Sequence, residues 1–190
     1  MGTINHFKQN RPVHLALRDV YYEQAKKLLS SHNPRAVQPL DAAEYEEILF
    51  MLRTARKHGC FAARDNEKDS QFCDFINMLA GNVKAILSML NLKHSVEAKD
   101  GFFFAFLDVN RASVALQAEE YERRARDIVC CLLNTLDIAD EAYGELKQND
   151  RDALGAAEQS RYDKAAKHHK ELIGKRPELP QYRKRTGMFF

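Results

Sequence analysis

The sequence predicts a mainly α-helical fold with one small β element. Three observations carry that reading. Apolar residues recur at helical spacing over most of the chain. A short segment near the N-terminus instead alternates apolar and polar side chains, as a half-buried strand does. Glycine and proline are scarce, eight and five in 190 residues, which argues against collagen-like and loop-rich architectures.

Residues 1–11 read as a flexible basic arm bearing Lys8 and Arg11. In the segment that follows, Val13, Leu15 and Leu17 alternate with His14, Ala16 and Arg18, the pattern of a strand with one apolar face. Pro12 at its first residue interrupts no central ladder bond. Asp19 is placed to cap a helix from Val20 to Ser31, and Asn33-Pro34 and Pro39 mark a loop. Asp41 opens a second helix, with Glu44 three residues on as in a capping box. Tyr45, Ile48, Leu49, Leu52 and Ala55 form its apolar stripe, and Gly59 is its expected stop.

A third helix is expected from Ser70 to Asn91. Its stripe is wide (Phe72, Phe75, Ile76, Leu79, Val83, Ile86, Leu87, Leu90), which places it at the centre of the core. From His94 to Val109 the phenylalanine-rich run reads as a buried strand, with Asn110 capping a helix from Arg111 to Thr135. Residues 137–173 are weakly amphipathic and helical, with a break expected at Asn149-Asp150 and an end at Gly174. Residues 174–190 form an extended basic tail, where Pro177 and Pro180 precede Arg183-Lys184-Arg185. One mainly helical domain, 12–173, is therefore expected. It has a strand-helix-helix segment near 12–58 and a second strand-helix segment near 94–135.

Hydrophobic residues make up 45% of the chain and charged residues 29%, enough for a packed core. No apolar run reaches the roughly 18 residues of a membrane span, and Met1 to Gln9 is too polar for a secretory signal. A cytoplasmic protein, associated with nucleoid or plasmid and not with membrane, is expected. Cys60, Cys73, Cys130 and Cys131 contain no C-x-x-C pair and read as buried thiols. His58, Cys60 and Cys73 lack recognisable zinc spacing and a fourth ligand, so neither metal nor cofactor is expected. Phosphate-binding, dinucleotide-binding, zincin and serine-hydrolase motifs are absent. His168-His169 lies in a lysine-rich helix, and Glu46-Glu47 and Glu119-Glu120 each split across helix faces. The expectation is a protein that is not an enzyme.

Net charge is only +2 but unevenly spread: +4 over residues 1–35, +6 over 161–190 and −8 between. Basic ends around an acidic middle suit a polyanion. The order strand, helix, loop, helix is the ribbon-helix-helix pattern. A lone strand leaves its ladder groups unpaired, and pairing with a second copy gives a two-stranded ribbon that fits the major groove of double-stranded DNA. His14, Ala16 and Arg18 would face base edges, with Arg18 reading guanine. Lys8, Arg11, Arg183, Lys184 and Arg185 would hold phosphates. The competing reading is an edge strand that pairs within the chain, against residues 95–109.

Three segments also resemble a known family. They are Pro12-Val-His-Leu-Ala-Leu-Arg-Asp19, Tyr121-Glu-Arg-Arg-Ala-Arg-Asp127 and Glu178-Leu-Pro-Gln-Tyr-Arg-Lys-Arg-Thr-Gly-Met-Phe189. Together they resemble the small proteins of integrating conjugative elements, and among these the AcaB-like transcriptional activators of IncC-type conjugative plasmids. The resemblance implies a bacterial DNA-binding regulator with a ribbon-helix-helix-like unit that binds upstream of a promoter for the master activator of transfer genes. The expected protein is a homodimer on promoter DNA that activates transfer genes, with RNA polymerase as a further partner. The alternative is an interaction subunit of a conjugation or partition complex without specific DNA binding.

Overall fold

A computed structural model describes residues 10–33, 35, 40–63, 67–103 and 108–175, with side chains of 99–103 and 108–112 left out of the description. The described residues form five helices: α1 (Arg11–Ser30), α2 (Ala42–Ala62), α3 (Glu67–Phe103), α4 (Asp108–Asp152) and α5 (Ala156–Gly174). No strand occurs among them. The expected β element and the ribbon-helix-helix unit built on it are therefore both overturned.

The reason lies in one residue. Leu15, Tyr22, Ala25 and Leu29 are buried along α1, and Arg18 is buried in the same stripe, 1% exposed. A cation in that place hides a helical period and leaves only the six-residue alternation visible in sequence. Pro12 sits in the first turn, where its missing N–H costs nothing. Asp19, expected as a cap, is mid-helix and buried.

The described part of the second expected strand is also helical, and residues 104–107 lie outside the described residues. α3 runs past Asn91 to Phe103, and α4 begins at Asp108, ahead of the cap expected at Asn110. Lys93 and Glu97 form an i,i+4 ion pair at 3.8 Å, which supports a helix there. Gly59 does not end α2, which continues to Ala62. Asn149-Asp150 does not break α4, and the interruption falls at 153–155. The Asp41 cap is present: its carboxylate accepts the Ala43 backbone N–H at 2.9 Å.

α3 and α4 form a long antiparallel hairpin. Lys68 near the start of α3 meets Glu145 near the end of α4 at 3.0 Å, and Lys93 meets Glu122 at the other end. Ile76, Leu79, Val83 and Ile86 of α3 pack with Ala125, Val129, Leu132 and Leu136 of α4 and with Ile48, Met51 and Leu52 of α2 in one core. α3 is long and apolar enough to cross a membrane by length and composition, and here packing accounts for that stripe. α5 lies on α1 through a smaller cluster of Leu15, Ala16, Ala62 and Tyr162.

Candidate functional site

Three polar clusters stand out from the helical framework. The first is the buried centre where α1, α4 and α5 meet. Arg18 Nε donates to Asp19 at 2.8 Å and Arg18 Nη1 to Asp150 at 2.7 Å. Arg11 Nη2 donates to the other Asp150 oxygen at 2.5 Å, and Arg11 Nε to the Ala62 carbonyl at 3.0 Å. The Tyr162 hydroxyl donates to Asp19 at 2.6 Å. Burial works against the Arg18 charge, but Asp19 and Asp150 outweigh it and raise its pKa above the ordinary value. Its guanidinium lies 5.6 Å from the Phe72 ring centroid and 5.9 Å from that of Tyr143, which gives the charge two aromatic faces. Two carboxylates against two arginines, buried except for part of Arg11, make a structural clasp.

The second cluster is His14 beside His58. Their Nδ1 atoms are 2.9 Å apart and their rings stack at 5.2 Å. One Nδ1 must donate and the other accept, so the two rings are not both protonated. Burial, helped by Lys57, lowers the His14 pKa. Burial, then His14, Lys57 and His169, lowers that of His58 to about 4. Among the described residues no group of three or more His, Cys, Asp or Glu side chains is placed to hold a metal ion.

The third is a groove of about 530 Å³ between α2 and α3. Arg53, Arg56 and Lys57 line it from α2 and Lys84 from α3, with Cys60, Phe61, Asn77 and Gly81 between them. Among the described residues no acidic side chain lines it. All four cations are exposed, and none is in an ion pair with another described residue. The contrast is a hollow of about 380 Å³ between α1, α4 and α5, where Lys147, Arg151, Lys167 and Lys170 face Asp19, Glu23, Asp163 and Glu171. That hollow is charge-balanced, whereas the α2–α3 groove is not.

The sequence-predicted residues fall elsewhere. Arg18 and Arg11 are held in the buried clasp and His14 in the histidine pair. Strand phase, the reason for giving Arg18 and His14 to base edges, does not apply to a helix. Lys8, Arg183, Lys184 and Arg185 lie outside the described residues. The groove cations were missed. Arg53, Arg56 and Lys57 at i, i+3 and i+4 give a legible basic face on α2, but Lys84 comes from another helix and carries no sequence signal linking it to them.

Comparison with protein-family models, with curated proteins and with solved structures finds no match to this chain in any of the three.

Proposed function

We propose that the protein binds nucleic acid without catalysing a reaction on it, and that the α2–α3 groove holds the phosphate backbone of double-stranded DNA. The observation that carries this reading is the four exposed cations of the groove, with no acid among its described lining residues. In a chain of net charge +2, such a segregated patch is the kind of surface that attracts a polyanion. Phosphate contacts position a duplex but carry no sequence information. A role as a transcriptional regulator of conjugative transfer genes is the finer form of this proposal. It rests on the three resembling segments, and dimerisation is no longer required by an unpaired strand.

The second reading, an interaction subunit of a conjugation or partition complex, is favoured by large exposed apolar side chains: Leu116 at 66%, Ile138 at 57% and Met78 at 55%. Anisotropy titration of a labelled duplex separates the two. Binding that weakens steeply with salt, and that Arg56→Glu with Lys84→Glu abolishes, supports the DNA reading. No duplex binding at low salt favours the interaction subunit.

A further inference from the structure

Cys60 on α2 and Cys73 on α3 bring their sulfur atoms to 3.5 Å. The two residues are brought together by a close helix–helix contact. Gly59 is buried against Phe72, and a Cβ built at 59 would lie 3.4 Å from the Phe72 ring. In each helix the next residue is the cysteine. Cys60 is exposed and lines the basic groove, while Cys73 is partly buried. Cys130 and Cys131 are exposed on α4, and among the described residues neither lies within hydrogen-bonding distance of another thiol.

We propose that Cys60 and Cys73 are a dithiol oxidation site, converted by hydrogen peroxide or a small hydroperoxide into an intramolecular disulfide that ties α2 to α3. Cys60 is the sulfur a solvent-borne oxidant meets first. Its thiolate attacks the peroxide oxygen, the O–O bond breaks, and water leaves after protonation, so that Cys60 becomes a sulfenic acid. The Cys73 sulfur then attacks the Cys60 sulfur and displaces the hydroxyl as a second water. Two thiols and one peroxide give one disulfide and two waters. Each sulfur gives up one electron, and the peroxide takes both.

Burial, then the contact with Cys60, pushes the Cys73 thiol up to about 12, with Arg56 opposing and Asp69 adding to the shift. Cys73 therefore waits as a protonated thiol and acts second, as a resolving cysteine does. Because the proposal concerns the thiols alone, it stands or falls separately from DNA binding.

The test uses the full chain carrying Cys130→Ser and Cys131→Ser, treated with hydrogen peroxide and read by intact mass and peptide mapping without reductant. The expected product is about 2 Da lighter and resists alkylation until reduced, with the Cys60 and Cys73 peptides joined. Adding Cys73→Ser should stop the reaction at a sulfenic acid on Cys60, about 16 Da heavier and trapped by dimedone. Over-oxidation of Cys60 to a sulfinic acid while Cys73 remains alkylatable would overturn the proposal, as would a disulfide between two copies through Cys60. Peptide mapping of the unsubstituted chain reads the same linkage, so a poorly folded variant does not remove the test.

Discussion

Arg18 and Asp150 are 132 positions apart in the chain, and their side chains meet at 2.7 Å inside the protein. Asp150 accepts from Arg11 with its second oxygen, so one carboxylate near the end of α4 anchors the N-terminal half of α1 at two points. Asp19, beside Arg18, accepts from Tyr162 of α5. The bundle is thus closed on this side by a charged clasp, and its apolar core lies between α1, α2, α3 and α4.

Removing Asp150 tests the clasp. Asp150→Ala leaves Arg18 buried with Asp19 as its remaining carboxylate and strips Arg11 of its ion pair. Breaking a buried pair from one side costs about 3–5 kcal/mol, because the other charge stays in a low-dielectric place. For a chain of this length that is a fall in Tm of about 10 °C. Urea and thermal unfolding followed by circular dichroism measure both. A loss below about 1 kcal/mol would mean that water reaches Arg18 and solvates it.

Stability should also depend on pH through the histidine pair. His58 is held down to about 4 from an ordinary 6.5, so between those values the unfolded chain binds a proton that the folded chain refuses. The contribution is complete above pH 6.5, is lost as pH falls from 6.5 towards 4, and is level below that. Screening at a half-buried ring reduces the loss to about 1–2 kcal/mol. The urea midpoint of the wild-type chain should fall between pH 7.5 and 4.5. In His58→Gln that fall should shrink, and an undiminished fall would assign the effect to other groups.

The long stripes of α2 and α3 were legible because their buried positions are nearly all apolar: Tyr45, Ile48 and Leu52 in one, Phe72, Ile76, Leu79 and Val83 in the other. α1 was not legible as a whole. Its stripe passes through Arg18, and nothing local shows that a carboxylate 132 residues on will neutralise it. The start of the phenylalanine run, helical to Phe103, misled for a related reason. A short apolar run has no period of its own, and the i,i+4 pair of Lys93 and Glu97 that continues the helix precedes it. The groove was half legible, since three of its cations share α2 and the fourth arrives by packing.

Gly144 lies inside α4 and is exposed, and a Cβ there would meet nothing within 4 Å. Gly144→Ala should therefore stabilise the protein by about 0.5–1 kcal/mol, through the smaller backbone entropy lost on folding. Chemical denaturation at pH 7.5 checks it. A destabilised variant would show that this face of α4 is covered by something other than water, such as a second copy of the chain.

The groove gives the most discriminating prediction. If Arg53, Arg56, Lys57 and Lys84 each neutralise a phosphate, each released counterion adds about 0.9 to the slope of log affinity against log salt. Replacing all four by alanine should flatten that slope by about 3–4 and weaken specific and scrambled duplexes alike, because phosphate contacts carry no sequence. Lys167 and Lys170 provide the control. They are cations too, but they line the hollow that contains four carboxylates, where a duplex meets no net positive field. Lys167→Ala with Lys170→Ala should leave the slope nearly unchanged. If that pair flattens it as much per cation as the groove substitutions do, overall charge binds the duplex and the groove has no special role.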